Sequence, residues 1–331
     1  MGIISVVIPL FNKRNYIERA LRSALAQNLR PDEIIVVDDG STDGGGDLAE
    51  SIGRTLDDIR IIVIHQQNNG VSIARNRGIA EAKGELIAFL DADDAWKPQF
   101  LEKIDQLKDN FPQAGAFATA YEVVMPNGKV QRKQFNILPH NSRQGLITNY
   151  ARVAPDCPVG SSAVAIPKKV LKEVGGFAER ERKGEDVDLW LRIALRYPIA
   201  WSCEYLSSYF LGISDRTMGR MFYEKEPKVS YTARQAIASG LVPPEQVKDL
   251  IEYAAHFQIH AAVDCLKMGN KSTSLELLSF SKGTLQHFRR WWEAYLIAHI
   301  PGNFGRYYYP TKHSFMNRLI KILEKIGDFE F

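Results

Sequence analysis

The stretches IIVVDDGSTD (34–43) and ELIAFLDADD (85–94) decide the fold. In each, an uninterrupted apolar run ends in several carboxylates. Apolar runs of this length are typical of strands that are buried on both faces of a parallel sheet. Carboxylates are rarely buried unless they are paired or bind a cation, and open α/β sheets bind ligands at the carboxyl ends of their strands. The two stretches therefore predict a site for an anion held through a divalent cation.

Strand-like and helix-like segments alternate through the first third of the chain. Repeated strand–helix–strand units indicate an α/β fold, with a mainly parallel, twisted sheet and helices on both faces. The predicted strands are 4–11, 33–39, 59–66 and 85–94, and the predicted helices are 16–27, 43–52, 71–82 and 98–111. Farther along, the sequence predicts a hairpin at 114–135, a strand at 159–166 and helices at 168–176 and 186–197.

The strand signals stop near residue 213, and the rest of the chain is predicted to be helical. The helical segments are 228–239, 244–268, 272–280, 283–299 and 314–327. We therefore divide the chain into an α/β domain, residues 1–212, and a helical C-terminal domain, residues 213–331.

The composition is that of an ordinary globular protein. The 331 residues are 45% hydrophobic and 24% charged, and a net charge of +3 is too small to favour a nucleic-acid partner. The cysteines Cys157, Cys203 and Cys265 form no CxxC pair, which argues against a disulfide framework or a zinc site. We expect neither a signal peptide nor a membrane span, and we predict a cytoplasmic location.

Asp91 and Asp93 form a DxD motif at the end of a predicted strand. Because side chains alternate along a strand, the two carboxylates point to the same side. Hard oxygen ligands suit Mg²⁺ or Mn²⁺, and such an ion shares its remaining positions with phosphate and water. The alternative is that these residues cap a helix or form a turn, which is the interpretation favoured for Asp94.

Familiar nucleotide sites do not fit this sequence. The loop after the first predicted strand, residues 11–14, has no GxGxxG pattern, which disfavours a Rossmann dinucleotide site. No P-loop pattern occurs, and the run Gly44-Gly45-Gly46 is interpreted as loop. A sugar nucleotidyltransferase would also need a glycine-rich first loop, so that class is disfavoured.

Five motifs follow one another in an order that resembles the family 2 glycosyltransferases, which are inverting enzymes with a GT-A fold. They are SVVIPLFN (5–12), VVDDGSTDG (36–44), GVSIARNRGI (70–79), GELIAFLDADD (84–94), and GGF (175–177) followed by GEDVDLWLRIA (184–194). The resemblance covers residues 3–212. It implies that this part is a GT-A-like catalytic domain that binds a nucleotide-sugar, and it does not extend to residues 213–331.

The resemblance implies roles for the residues of these motifs. Pro9 and Phe11 would line the nucleoside site, Asp39 would accept a hydrogen bond from the uracil N–H, and Arg75 would reach the nucleotide or its phosphates. Asp91 and Asp93 would bind Mn²⁺ or Mg²⁺, with Asp93 as the more direct ligand.

On the acceptor side, the resemblance implies that Asp186 is the catalytic base and that Glu185 lies beside it near the acceptor. Trp190, one helical turn after Asp186, would stack on a sugar. A nucleoside diphosphate stabilised by a cation needs no general acid to leave, so one carboxylate acting as base is sufficient.

Simpler interpretations stay open for these residues. Asp186 could cap the helix at 187–197, Arg75 could form a surface ion pair, and Trp190 could pack in the core. The segment Gly160-Ser161-Ser162 could touch the donor sugar or only begin a strand.

The C-terminal segment is basic and aromatic. Between residues 282 and 325 there are eight Lys or Arg and two Glu, with aromatic residues among them. Basic residues beside an apolar face are typical of a helix at a membrane surface, which predicts peripheral membrane contact through residues 282–327. The alternatives are packing on the catalytic domain and a homodimer interface.

These observations predict a metal-dependent inverting glycosyltransferase. The donor would be a UDP-linked sugar, and the acceptor a hydroxyl of a saccharide or of a lipid-linked saccharide, in the synthesis of a cell-surface polysaccharide. The alternative is a non-catalytic protein of the same fold that binds a nucleotide-sugar or serves as a peripheral-membrane scaffold.

Overall fold

The computed structural model describes residues 3–56, 59–135, 137–138, 142–179, 181, 183–212 and 222–300. The strands are β1 (Ile4–Leu10), β2 (Glu33–Asp38), β3 (Arg60–His65), β4 (Leu86–Phe89), β5 (Ala95–Trp96), β6 (Ala116–Val124), β7 (Val130–Arg132), β8 (Gln144–Ile147), β9 (Val164–Pro167) and β10 (Ile199–Phe210). The helices are α1 (Arg14–Leu25), α2 (Gly45–Gly53), α3 (Val71–Glu81), α4 (Phe100–Asn110), α5 (Tyr150–Val153), α6 (Lys168–Val174), α7 (Glu185–Ala194), α8 (Lys228–Ala238), α9 (Pro244–Met268), α10 (Lys271–Phe280) and α11 (Phe288–His299).

The strands form one sheet in the order β3-β2-β1-β4-β9-β6-β10-β5, with β7 added to β6 and β8 added to β10. The first four strands of this order are parallel, as the sequence predicts. Beyond β4 the sheet is mixed, because β9 runs antiparallel to both β4 and β6 while β10 runs parallel to β6. Since β1 lies between β2 and β4, the acidic turns that follow β2 and β4 emerge at the same edge.

The predicted hairpin is confirmed, since β6 pairs antiparallel with β7. Three strands were not predicted, β5, β8 and β10. In β10, the register with β6 shifts between Ser202 and Tyr205 and again between Tyr205 and Ser207. Such irregularities break the alternation of polar and apolar residues by which a strand is recognised.

The loop prediction holds for Gly44, which caps α2 with a φ of 77°, and is wrong for Gly45 and Gly46, which begin this helix. Gly46 lies against the acidic end of β2, and a Cβ at this position would come within 2.3 Å of Asp38 Oδ2. The glycines therefore let the first turn of α2 approach the strand end closely.

Alternate residues of the central strands belong to two different hydrophobic clusters. On β1, Val7 belongs to one cluster, and Val6 and Ile8 belong to the other. Because neighbouring side chains of a strand point to opposite faces, the sheet is covered on both sides, as predicted.

The C-terminal helices share the first of these clusters. Val229 and Ala233 of α8 and Tyr253 of α9 belong to the same cluster as Val7, and the Tyr253 ring lies 6.1 Å from that of Tyr150. The core therefore continues past residue 213, where we drew a boundary from the sequence. The second half of α9 packs with α10 and α11 in a cluster of their own.

The four C-terminal helices within the described residues occur close to the predicted positions, whereas the predicted helix at 314–327 lies outside those residues. Among the helices that the structure describes, none combines the length and the apolarity that a membrane crossing requires.

Candidate active site

The turn after β2 is built around Asp39, whose side chain is buried. Its Oδ1 accepts hydrogen bonds from Gln66 Nε2 at 2.8 Å and from the Asn69 amide at 2.9 Å, and its Oδ2 accepts one from the Gly70 amide at 2.8 Å. A carboxylate offers about four acceptor positions. Asp39 therefore fixes the loop that leads into α3 and keeps room for one further donor. Its contact with uracil stays a prediction.

Pro9 and Phe11 lie on either side of the end of β1, between the two acidic turns. Pro9 is buried within the strand, and Phe11 is 45% exposed just beyond it. Asn12 ties this loop to the turn after β2, because its side-chain oxygen accepts from the Thr42 amide at 2.9 Å. Phe11 thus offers an exposed ring at the edge where a nucleoside would bind, and its role stays a prediction.

The DxD turn follows β4 and is surrounded by cations. Asp91 Oδ1 accepts from Arg75 Nη2 at 2.8 Å, and Asp93 Oδ2 lies 3.2 Å from Lys13 Nζ. Arg19 donates to the backbone oxygen of Asp93. We did not predict a role for Lys13 or Arg19 from the sequence. The signal was available, since both follow the end of β1, the strand that lies between the two acidic turns.

Asp94 has a structural role, but it does not begin a helix. Its side chain is buried, and Oδ2 accepts from Ser162 Oγ at 2.7 Å while Oδ1 accepts from the Phe210 amide at 3.3 Å. The helix α4 begins only at Phe100. Of the two interpretations given for Asp94, the helix cap is therefore wrong, whereas the turn is confirmed, since the Asp94 amide donates to the Asp91 backbone oxygen at 3.0 Å.

Arg75 joins the DxD turn to the helix that carries the predicted base. It is 3% exposed, and it donates from Nη2 to Asp91 and from Nη1 to Glu185 Oε1 at 2.9 Å. Its guanidinium also lies 5.0 Å from the centre of the Phe177 ring. The interpretation as a surface ion pair is wrong, because the pair is buried. Contact with the nucleotide stays a prediction for Arg75.

The protonation equilibria of this ion pair follow from its burial and its charges. Burial alone would lower the pKa of Arg75, but the carboxylates of Asp91 and Glu185 outweigh it and hold the pKa above its ordinary value. Burial raises the pKa of Glu185, and the charge of Asp186 raises it further, against the opposing effect of Arg75. Glu185 is thus a carboxyl group whose negative charge depends on its arginine partner.

Asp186 lies in the first turn of α7, next to Glu185. Gly184 occupies the cap position with a φ of 79°, in the left-handed region. Asp186 Oδ1 accepts from the Val187 amide at 2.8 Å, and Oδ2 accepts from Ser161 Oγ at 2.9 Å. The cap itself is therefore the glycine, and Asp186 is half-buried and oriented through both of its oxygens. Its role as a base stays a prediction.

Trp190 does not lie on the acceptor side. Its side chain is 0% exposed and packs against Phe177, with ring centres 6.1 Å apart. The prediction that Trp190 stacks on a sugar is wrong, because α7 turns this face into the hydrophobic core one turn after Asp186.

The carboxylates of Asp91 and Asp93 are chemically suited to a divalent cation. Both are hard oxygen donors on one turn, and the Asp91 side chain is 27% exposed. Within the described part of the chain no group of three or more His, Cys, Asp or Glu could hold a metal ion. The residues thus fit Mn²⁺ or Mg²⁺ only if phosphate and water complete the coordination, as such ions commonly require. Lys13 competes with the ion for Asp93.

Comparison with known proteins gives the family. Residues 5–175, about half of the chain, match the family described as Glycosyl transferase family 2. This chain belongs to that family. An uncharacterised glycosyltransferase of Rickettsia felis is 32% identical over 60% of this chain and 32% of its own length. The putative teichuronic acid biosynthesis glycosyltransferase TuaG of Bacillus subtilis is 37% identical over 38% of this chain and 49% of its own length. The chain thus spans a third to a half of these two relatives.

Solved structures share the GT-A fold with this family member. S. aureus TarS 1-349, in complex with UDP-GlcNAc, superposes with a TM-score of 0.58 at 19% identity, over 88% of this chain and 79% of that one. The mannosyltransferase PcManGT from Pyrobaculum calidifontis, in complex with GDP-Man and Mn²⁺, has the same TM-score and identity over 91% of this chain and 82% of its own. The predicted fold class and family are thereby confirmed.

Proposed function

We propose that this protein is an inverting glycosyltransferase that transfers a sugar from a nucleotide-sugar to an acceptor hydroxyl. The observation that supports it best is the Arg75 ion pair, in which one guanidinium contacts Asp91 of the DxD turn and Glu185 beside Asp186. Two carboxylates that are far apart in the sequence thereby meet at one guanidinium. The family 2 match over residues 5–175 supports the same activity.

We infer a UDP-linked donor from the surroundings of Asp39. Three donors of the chain already use this carboxylate, which leaves space for about one more. Uracil offers a single ring N–H, whereas guanine offers a ring N–H and an adjacent amino group. The UDP-GlcNAc bound to TarS supports this inference, and the GDP-Man bound to PcManGT makes GDP the nucleotide to test against it.

In the proposed reaction, Asp186 takes the proton from the acceptor hydroxyl as the oxygen attacks C1 of the donor sugar. A bond forms between that oxygen and C1, the bond from C1 to the diphosphate breaks, and the configuration at C1 is inverted. A base positioned in this way contributes roughly 10²–10⁴-fold to the rate. A cation on Asp91 and Asp93 would supply charge stabilisation to the departing diphosphate. Lys13 and Arg19 add two positive charges beside the same turn.

We further propose that the acceptor is a saccharide or lipid-linked saccharide of a cell-surface polymer. The relative TuaG, a putative teichuronic acid biosynthesis glycosyltransferase, supports this proposal. The described end of the chain also supports membrane contact, because α11 and the segment just before its start expose a stripe of apolar side chains. They are Leu285 at 70%, Phe288 at 45%, Trp292 at 37% and Leu296 at 42% exposure. Residues 301–327 of the predicted contact segment lie outside the described residues.

Two measurements, made one after the other, test the proposed function. Thermal-shift screening of UDP- and GDP-sugars with and without Mn²⁺ identifies the donor, because ligands that bind the native state raise Tm. With that donor, Asp186→Asn should lose turnover by about 10²–10⁴-fold and keep its affinity for UDP and Mn²⁺. Asp109→Asn is the control, since this aspartate is 72% exposed on α4.

Full turnover by Asp186→Asn would remove the proposed base and with it the mechanism. A wild-type protein that binds a nucleotide-sugar but neither hydrolyses nor transfers it would support the non-catalytic alternative. Release of pyrophosphate from UTP and a sugar phosphate would identify a nucleotidyltransferase instead.

A further inference from the structure

Two adjacent serines lie between the acidic turn and the base helix. Ser161 and Ser162 begin a one-turn 3-10 helix that leads into β9. Ser161 Oγ donates to Asp186 Oδ2 at 2.9 Å, and Ser162 Oγ accepts from the Asp91 amide at 3.0 Å. Because a 3-10 helix has three residues per turn, neighbouring side chains point about 120° apart. One short turn can therefore contact both the DxD turn and the first turn of α7.

We propose that Ser161 is a positioning residue for Asp186, an inference that rests on the proposed function. A serine hydroxyl carries one proton, and Ser161 directs it at Oδ2 of this carboxylate. The Val187 amide binds the other oxygen. The two donors together fix the plane of the carboxylate. A carboxylate held in one plane presents its oxygens in a fixed direction to the acceptor hydroxyl from which it takes the proton.

Ser162 relates this position to the cation-binding turn. It is 5% exposed, and its hydroxyl accepts from the Asp91 amide and donates to Asp94. Its backbone oxygen also accepts from Trp96 Nε1 at 2.6 Å. The turn that carries Ser161 is thus held by the same residues that form the DxD turn. A shift of the DxD turn would therefore also move the 3-10 turn that carries Ser161.

The packing before the turn also restricts Ser161. A Cβ at Gly160 would lie 3.3 Å from the Tyr121 ring, a tight contact that the ring would have to relieve by a shift of a few tenths of an ångström. The charged and titratable groups coupled to Asp186 in this region include Arg75, Glu185, Tyr121, Tyr223 and Cys157. All of them are retained when only Ser161 is replaced, so a changed kcat of such a variant reports on this hydroxyl.

The test compares Ser161→Ala and Ser161→Thr in the full chain, with the donor identified by thermal shift. For Ser161→Ala we expect kcat to fall by about 10- to 100-fold, as for other groups that orient a reacting residue, with the donor KM and the UDP–Mn²⁺ affinity unchanged. Ser161→Thr keeps the hydroxyl and should restore most of kcat. The control Ser279→Ala removes an exposed hydroxyl on α10 that contacts only its own helix.

Three results would overturn the proposal. A higher donor KM with an unchanged kcat would mean that Ser161 touches the donor sugar. Equal loss in the alanine and threonine variants would mean that the hydroxyl is not the cause, and so would a fall in Tm that accounts for the lost activity. The Asp186→Asn variant distinguishes failure of the proposed function from failure of the proposed role of Ser161. If it is fully active, the proposed function fails; if it is inactive while Ser161→Ala has a normal kcat, only the role of Ser161 fails.

Discussion

The α/β part of the molecule and its C-terminal helices are held together by different interactions. At the candidate site, buried charges are paired across long stretches of sequence, as in the contacts of Arg75 with Asp91 and Glu185. The C-terminal helices are joined to the same body by apolar packing around residues such as Val229 and Tyr253, and by hydrogen bonds such as that from Thr232 to Asp188 at 2.6 Å. Removing one partner of a buried ion pair leaves the other charge buried and unpaired, which costs several kcal/mol of unfolding free energy. Truncating an apolar side chain costs free energy in proportion to the buried area that is removed. Substitutions at the candidate site should therefore reduce the free energy of unfolding more than substitutions between the C-terminal helices and the α/β part.

The largest effect is expected for Arg75→Ala. The change leaves Asp91 and Glu185 without their shared guanidinium in a buried setting, which should cost about 3–5 kcal/mol of unfolding free energy. Arg75→Lys keeps the charge but cannot bind both carboxylates in the same fork geometry. Its free energy of unfolding should therefore lie between those of the wild type and Arg75→Ala. Urea unfolding of the three proteins measures this order. A loss within the range of ordinary surface substitutions would contradict the buried ion pair.

A smaller effect is expected where α9 packs on the α/β part. Leu250 is 2% exposed and belongs to the shared core, so Leu250→Ala should cost roughly 2–3 kcal/mol. Ile251, the next residue, is 45% exposed, and Ile251→Ala should change stability by less than about 0.5 kcal/mol. Unfolding followed by tryptophan fluorescence should stay a single transition. Two transitions, with only the second shifted by Leu250→Ala, would separate the helices from the α/β part.

A moderate, pH-dependent effect is expected from two histidines of α9. Burial, with nearby positive charge, lowers the pKa of His256 to about 4 and that of His260 to about 3. Both values lie below the unfolded value of about 6.5, so the unfolded chain binds more protons between these limits and stability is lost as the pH falls below 6.5. The groups around them include His287, Arg290 and Lys183.

The measurement is Tm between pH 7 and pH 5, compared with the double variant His256→Gln/His260→Gln. The wild type should lose Tm over this range, and the double variant should lose less. An identical slope in the two proteins would mean that these histidines do not stay neutral in the folded state.

The smallest effect is expected on the exposed face of α11. Trp292→Ala removes one apolar ring from the stripe, so flotation with vesicles of anionic lipid should fall by a modest fraction. Tyr231→Ala, another half-exposed aromatic residue, lies on α8 and should leave flotation unchanged. If the full chain does not float at all, or if Trp292→Ala floats as well as the wild type, this face does not contact the membrane.

Features that depend on local sequence pattern were predictable. The four parallel strands and the acidic turns after β2 and β4 were recognisable because each apolar run ends in carboxylates or in a turn. The helices on both sides of the sheet were recognisable from their periodicity. The strand β10 was missed, since its register shifts disrupt the alternation along it.

Contacts between distant segments could not be predicted. Sequence alone did not indicate that Arg75 would be buried between Asp91 and Glu185, because a charged residue on a predicted helix usually faces solvent. Trp190 was expected at the acceptor because it lies one turn after Asp186, whereas its burial depends on where α7 meets Phe177. The contact of Lys13 with Asp93 likewise depends on the neighbouring positions of β1 and β4.

A crystal structure of the full chain with UDP and Mn²⁺ tests the central claim most directly. We predict that the ion lies on Asp93 with Asp91 beside it, and that the Asp186 carboxylate faces the bound diphosphate across a gap wide enough for a single hexose. An ion bound elsewhere would contradict this account, and so would an Asp186 side chain turned away from the nucleotide.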